Sequence, residues 1–226
     1  SRAMAQTAEA LRVQVPWWVH DILDDKTKDR LFVIPKGLGS GGTYGGSIWH
    51  LSKCFDTPQV KSSWAVAPTY LQVVDTLIPA FSDVLQSVFN WEEGTDHKIV
   101  RSGRPVINLL RTGQEIQFRS AQHADRLVGP TISHLFGTEP GLWPPIAFEK
   151  SFARVRHEKG SCQKLFEGTP EGLGNKWEEL ANVPEGVDEA ENRRRITLHT
   201  ADNPFVSSTY FSNLCKIYGH DPAKLE

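Results

Sequence analysis

Short apolar runs alternate along the chain with longer stretches of helical periodicity. A short apolar run between turn residues predicts a buried strand, whereas apolar residues three and four positions apart predict an amphipathic helix. The predicted strands lie at 30–35, 63–68, 98–110, 115–120, 132–136, 162–166 and 195–199. The predicted helices lie at 8–23 (interrupted by Pro16, with Trp17 and Trp18 as core or pocket aromatics), 47–54, 70–91, 204–218 and from Pro144-Pro145 onward.

The order of these elements predicts the fold class. Strands that alternate with helices predict an α/β domain with a mainly parallel sheet and helices on both faces. Residues 172–192 are polar and acidic, which predicts a loop or a mobile helix. The first predicted strand is followed by a glycine-rich loop at 36–46 and then by a helix. This arrangement places a ligand at the carboxyl end of that strand.

Composition restricts the function classes. The 226 residues carry a net charge of −2, so bulk charge does not predict a DNA-coating protein. Three separated cysteines form no zinc or disulfide pattern, and we expect a reducing, intracellular setting without a secretory signal or a membrane span. The eight histidines show no metal-binding spacing and are interpreted as surface or core residues. Residues 1–4 are typical of a cloning remnant.

The loop Lys36-Gly-Leu-Gly-Ser-Gly-Gly-Thr43 carries the candidate chemistry. Glycines let backbone N–H groups converge on a phosphate, and the following helix adds a favourable dipole. Compared with a Walker A loop, Gly41 and Thr43 fit, but Gly42 stands at the lysine position and Lys36 at the first glycine position. Thr43 can still offer its hydroxyl to Mg²⁺, and Lys36 reaches the phosphates if the loop folds back. The alternative is a flexible glycine turn.

Several short motifs follow the loop in a fixed order. They are 64–70 (Trp-Ala-Val-Ala-Pro-Thr-Tyr), 113–121 (Gly-Gln-Glu-Ile-Gln-Phe-Arg-Ser-Ala), 125–129 (Asp-Arg-Leu-Val-Gly), 166–172 (Phe-Glu-Gly-Thr-Pro-Glu-Gly), 202–205 (Asp-Asn-Pro-Phe) and 218–222 (Tyr-Gly-His-Asp-Pro). Their order and spacing resemble the large terminase subunit of tailed bacteriophages, over about 12–224. The resemblance implies an ASCE-type P-loop ATPase with a core at 5–170, a small C-terminal lid at 171–226, and no nuclease domain within the chain.

The resemblance also implies roles for single residues. The phosphates and Mg²⁺ fall to the loop residues Lys36, Gly37, Gly39, Ser40, Gly41, Gly42 and Thr43. Residues 132–137 correspond to the Walker B strand, which makes Glu139 the carboxylate that polarises the attacking water. Thr138 takes the place of the metal-binding aspartate and cannot supply its charge. Without the resemblance, Glu139 is read as a solvated turn residue.

Two further features depend on the same resemblance. Gly168-Thr169-Pro170 matches a motif that couples the γ-phosphate to lid movement, although a strand-ending turn explains these residues equally well. Arginines common in relatives are replaced by Leu38 and Val128. Arg126 is therefore the candidate for a catalytic arginine, with Arg119 and Arg111 behind it, although each alone can be a surface residue. Some relatives carry the loop lysine at the start, as Lys36 does here.

The resemblance implies a motor that hydrolyses ATP with Mg²⁺ and moves double-stranded DNA into a procapsid. Its implied partners are the portal protein, the small terminase subunit and further copies of itself in a ring, without a membrane. The implied location is the host cytoplasm and, transiently, the portal vertex of the capsid. The alternatives are a nucleotide-binding assembly module with a degenerate, weakly active or inactive pocket, and a helicase-like ATPase of another family.

Overall fold

The computed structural model describes residues 15–170, 175–203 and 205–218 of the chain. Within these ranges, nine strands form one sheet in the order β3-β4-β5-β2-β6-β7-β1-β9-β8. The strands are β1 Leu31–Pro35, β2 Ser62–Ala67, β3 His97–Val100, β4 Val106–Leu109, β5 Gln114–Ser120, β6 Leu135–Thr138, β7 Lys164–Gly168, β8 Gly186–Asp188 and β9 Arg193–Arg195. The helices are α1 Trp17–Leu23, α2 Gly42–Asp56, α3 Tyr70–Gln72, α4 Ile78–Ser87, α5 Pro145–Phe152, α6 Lys176–Ala181 and α7 Ser208–Tyr218.

The six central strands from β5 to β9 run parallel, and antiparallel pairs extend the sheet at both ends. Strands β7 and β6 lie beside β1 in that order, so β7 separates the strand before the glycine loop from β6. This confirms the predicted α/β class and the mainly parallel sheet. The division into a core at 5–170 and a lid at 171–226 stays a prediction.

Helices cover both faces of the sheet, because successive strand residues point to opposite sides. On β1, Phe32 and Ile34 belong to the apolar cluster that contains the buried residues of α1, α2 and α4. Val33 lies between them and belongs to a second cluster with α5 and α6. The predicted three-layer arrangement is therefore confirmed. Among the described residues, every helix is too short or too polar to cross a bilayer.

Several predicted boundaries are wrong. The strand predicted at 98–110 is a hairpin of β3 and β4, because Gly103 takes a left-handed φ of 71° and turns the chain. Strands β6 and β7 lie later than 132–136 and 162–166, and each runs through a glycine, Gly137 and Gly168. An apolar run marks burial rather than pairing. Gly137 pairs within the sheet because the Phe166 ring fills the space where its side chain would stand.

Other differences lie in the helices and at the far end of the sheet. Helix α2 begins at Gly42 rather than at residue 47, so the loop is shorter than predicted. The helix predicted at 70–91 contains a π-helical turn at Val73–Leu77 between α3 and α4. The polar stretch 172–192 contains α6 and the missed strand β8, whereas α7 begins at Ser208. The late strand β9 precedes the predicted 195–199, although Leu198 still bridges to the chain after β1. Residues 1–14 and 219–222 of the sequence predictions lie outside the described residues.

Candidate functional site

The glycine loop joins β1 to α2 over residues 36–41. Gly39 and Gly41 have φ of 75° and 82°, a left-handed conformation that favours glycine. Gly41 caps α2, and no side chain in the described part of the chain accepts a hydrogen bond there. The first-turn N–H groups of α2 are thus available to an anion. The Ser40 hydroxyl, also in this loop, is buried without a hydrogen-bonding partner among the described residues.

Lys36 leaves the end of β1 and lies between two carboxylates. Its Nζ is 2.9 Å from Oε1 of Glu139 and 2.7 Å from Oε2 of Glu167. We call these three residues the Lys36 cluster. Burial lowers the pKa of Lys36, but the charges of Glu167 and Glu139 outweigh it and hold the pKa above the ordinary lysine value. The ammonium is therefore charged, and the cluster carries one positive and two negative groups when its carboxyls are ionised.

Gly42 stands at the Walker A lysine position and gives way to Lys36. A Cβ built at Gly42 would lie 2.7 Å from Cδ of Lys36 and 2.7 Å from Oε2 of Glu167. The Lys36 side chain therefore runs through the space where a side chain at position 42 would begin. The structure brings the predicted loop lysine to the start of α2 from the opposite end of the loop.

Glu139 follows β6 with a left-handed φ of 46°, an uncommon conformation for a residue with a side chain. Its Oε2 accepts a hydrogen bond from the N–H of Thr169 at 3.0 Å, while Oε1 faces Lys36. A Cβ on Gly168 would lie 2.7 Å from Cδ of Pro140 and 3.2 Å from Cα of Glu139. Gly168 thus permits the close contact between the turn after β6 and the end of β7. The predicted water-polarising and coupling residues are neighbours.

Glu167 is the residue that sequence reasoning missed. It is fully buried at the end of β7, and its Oε1 accepts a hydrogen bond from the Thr43 hydroxyl at 3.0 Å. Thr138, the other predicted metal residue, pairs with Glu167 across β6 and β7. The available signal was a lone acidic residue at the carboxyl end of an apolar strand, directly before Gly168-Thr169-Pro170.

The candidate arginines lie in different surroundings. Arg126 is exposed at the end of the 3₁₀ segment Ala121–Arg126, which follows β5 on the carboxyl side of the sheet. Arg119 donates to Gln117 and stacks on Trp64. Arg111 precedes β5 at the opposite edge of the sheet and pairs with Asp96. Its nomination as a catalytic arginine is wrong for this geometric reason.

A cavity of about 970 Å³ opens beside the loop. Trp17 and Trp18 of α1, Tyr44 of α2 and the chain segment after β9 line it together with Ser40 and Gly41 of the loop. The segment after β9 also holds the loop directly: Asn203 Nδ2 donates to the Gly39 carbonyl, and the Thr200 hydroxyl donates to the Leu38 carbonyl at 2.7 Å. Aromatic walls next to an anion-binding loop suit a purine nucleotide.

A second polar cluster lies inside the core. His50 and Cys54 share one face of α2, and His134 precedes β6, with potential ligand atoms within 4.8 Å of one another. The four-residue spacing of His50 and Cys54 was the overlooked sequence signal. Burial lowers the pKa of His134 to about 3 and that of His50 well below its ordinary value. Neither Nδ1 has a hydrogen-bonding partner among the described residues, whereas metal-bound imidazoles normally donate their second N–H. We therefore interpret them as neutral core histidines.

No protein-family model and no curated protein matches the sequence. Among solved structures, the large terminase ATPase domain of Thermus phage P74-26 matches with a TM-score of 0.60 and 16% identity, covering 100% of this chain and 98% of that one. The large terminase of another thermophilic bacteriophage, in complex with ADP, matches with a TM-score of 0.66 and 18% identity over 90% of this chain. This chain covers 48% of that protein.

A third similar structure is the N-terminal domain of the DNA packaging ATPase from bacteriophage phi29, with a TM-score of 0.52 and 14% identity, covering 83% of this chain and 97% of that one. The terminase solved with ADP has also been solved with ATP-gamma-S, and that structure has a TM-score of 0.62. At these identities the likeness establishes the fold, which is that of packaging ATPase domains.

Proposed function

We propose that this chain is the ATPase motor domain of a phage large terminase, which hydrolyses ATP to move double-stranded DNA into a procapsid. The observation that carries the proposal is the position of Lys36, which enters the space beside Gly42 and contacts Glu139 within a fold shared with packaging ATPases. A lysine and a carboxylate at the carboxyl ends of adjoining strands are the elements that phosphoryl transfer to water requires.

The nucleotide phosphates would lie on the loop between Lys36 and Thr43. The free N–H groups of α2 and the unpartnered Ser40 hydroxyl are suitable donors. Lys36 is charged and can exchange a carboxylate for a phosphate oxygen without crossing a large distance. The base and ribose would occupy the cavity lined by Trp17, Tyr44 and the segment after β9.

The oxygen donors at the start of α2 fit Mg²⁺, which prefers oxygen ligands. The Thr43 hydroxyl already faces a carboxylate, and the adjoining Thr138 offers a second hydroxyl in the same region. When bound, Mg²⁺ would neutralise charge on the phosphates.

Glu139 would orient the attacking water. Its two oxygens are held by Lys36 and by the Thr169 N–H, so the carboxylate has a fixed direction in the nucleotide-free protein. Departure of Lys36 to the phosphates would leave Oε1 available to a water molecule. Because Oε2 contacts Thr169, a change at Glu139 would be transmitted to the 168–170 segment, as the coupling role requires.

Several copies of the domain in a ring would bind the portal protein and the small terminase subunit in the host cytoplasm, and transiently at the portal vertex. A ring shares the phosphate contacts of DNA among its subunits, which is consistent with the net charge of −2 on one chain. Arg126 is exposed and can act on a neighbouring subunit's nucleotide.

The test is phosphate release with DNA and procapsids present, comparing the unmodified chain with Lys36→Ala and Glu139→Ala. We expect turnover in the unmodified chain and its loss in both variants. Equal background turnover in all three would contradict the motor and favour the degenerate nucleotide-binding module.

A further inference from the structure

The residue that stands where a metal-binding aspartate is expected is a threonine, and a carboxylate lies on the next strand instead. Thr138 of β6 and Glu167 of β7 are directly paired in register. Residues paired in this way on parallel strands present their side chains to the same face. The preceding pair on that face, Phe136 and Leu165, belongs to the apolar cluster beneath α2. Thr138 and Glu167 therefore both belong to the face that α2 covers, separated by about one strand spacing of 4.8 Å.

Glu167 lies at the first turn of α2, where the proposed Mg²⁺ ligand is found. Its Oε1 accepts from the Thr43 hydroxyl at 3.0 Å, whereas its Oε2 lies 2.7 Å from Lys36. Gly42, directly before Thr43, has no side chain to separate Glu167 from the helix terminus, and a Cβ there would lie 2.7 Å from Oε2. Among the described residues, this carboxylate is thus in direct contact with the phosphate-loop threonine.

The burial of Glu167 creates a demand for a cation. The residue is 0% exposed, and a buried carboxylate that loses its counter-charge is strongly disfavoured. In the present arrangement Lys36 supplies that charge. If Lys36 turns to the nucleotide phosphates, Glu167 needs another cation beside Thr43. A divalent ion that arrives with the nucleotide meets this need.

We infer that Glu167 is the carboxylate of the Mg²⁺ site, shifted by one strand from the position that Thr138 occupies. This inference rests on the proposed function, because it concerns the metal that accompanies ATP. It replaces Thr138 as the principal metal residue and assigns a reason for the acidic residue within a buried strand. It also explains how a packaging-type pocket can lack an acidic residue at position 138.

The experiment is a calorimetric titration of the chain with ADP, in Mg²⁺ and in EDTA. For the unmodified protein we expect Mg²⁺ to tighten ADP binding by about tenfold or more. Glu167→Gln is expected to reduce that effect to about twofold or less while keeping the affinity in EDTA. Thr138→Val, a matched change on the adjoining strand, is expected to keep the full Mg²⁺ effect. The double variant Thr138→Asp/Glu167→Gln returns a carboxylate to the neighbouring position and is expected to restore the effect at least in part.

A second readout counts bound metal by electron paramagnetic resonance of Mn²⁺ in the presence of ADP. One tightly bound Mn²⁺ is expected in the unmodified chain and in Thr138→Val, but not in Glu167→Gln. If Glu167→Gln does not fold, Glu167→Asp provides the test, because its shorter side chain retracts from Thr43 and should still weaken the Mg²⁺ effect. Retention of the full Mg²⁺ effect in the Glu167 variants, or its loss in Thr138→Val, overturns the inference alone. Failure of the unmodified chain to bind ADP under either condition overturns the proposed function as well.

Discussion

Lys36 Cδ lies where the side chain of residue 42 would begin, 2.7 Å from a Cβ built on Gly42. The lysine and the glycine are therefore two halves of one arrangement. A side chain at position 42 excludes Lys36 from its present path, and Lys36 in this path requires glycine at position 42. The departure from the Walker A pattern at both positions is a single spatial exchange.

This relationship predicts a measurable coupling between positions 36 and 42. Gly42→Ala is expected to lower the free energy of unfolding by about 1–3 kcal/mol, because the new methyl group overlaps Lys36 and Glu167. In a Lys36→Ala background the same change should cost less, with a coupling of about 0.5–3 kcal/mol. Urea denaturation of the four proteins measures it.

A control cycle uses the exposed Lys61 in place of Lys36. Gly42→Ala and Lys61→Ala should be additive. Additivity in the Lys36 cycle as well would mean that the two residues do not share this space.

The contact between Asn203 and the loop predicts an effect on nucleotide affinity. Asn203→Ala removes the hydrogen bond to the Gly39 carbonyl at one wall of the cavity. Loss of one such bond is expected to weaken ADP binding by about three- to tenfold. Fluorescence titration with a labelled ADP measures the change. Asn182→Ala, on the exposed end of α6, is the control and should bind as the unmodified chain does. Equal affinities for all three would place the nucleotide away from this wall.

The buried histidines predict acid destabilisation. His50 and His134 have lowered pKa values in the folded chain, chiefly through burial, and the charge on Lys53 adds to the effect at His134. Their contribution to stability is present above the ordinary histidine pKa and is lost as pH falls below it toward about 3, the lowered pKa of His134. The unfolding free energy should fall by about 1.4 kcal/mol per pH unit for each histidine in this range.

Urea denaturation between pH 7 and pH 5 tests the sign and the slope. His134→Gln should reduce the slope by the contribution of one histidine, whereas the exposed His20→Gln should leave it unchanged. A slope that His134→Gln does not alter would show that this histidine is not held neutral in the folded chain.

Glu139→Gln separates nucleotide binding from hydrolysis. The amide oxygen can still accept from the Thr169 N–H, so the turn after β6 should keep its shape. Phosphate release is expected to fall by about a hundredfold or more, because the amide cannot take a proton from water. ADP affinity should change little. Glu149→Gln on the exposed side of α5 is the matched control. Unchanged phosphate release in Glu139→Gln would remove Glu139 from the proposed chemistry.

Local patterns predicted much of the fold but only part of the site. β1, β2 and the loop at 36–43 follow from apolar runs and glycines that are contiguous in sequence. Glu167 does not, because its role depends on a sheet order that places β7 beside β1 and on contacts with Lys36 and Thr43, far away in the chain. Strand β8 was also missed, because it is largely exposed and lacks an apolar pattern.

ADP binding by Lys36→Ala, measured by calorimetry in EDTA beside Lys61→Ala, tests the central claim most directly. Circular dichroism must first show that both variants fold at the titration temperature, since Lys36→Ala leaves two carboxylates without their ammonium. If Lys36 holds the phosphates, Lys36→Ala should lose about tenfold or more in affinity and Lys61→Ala should lose none. A folded Lys36→Ala variant that binds ADP as tightly as the unmodified chain would contradict the account.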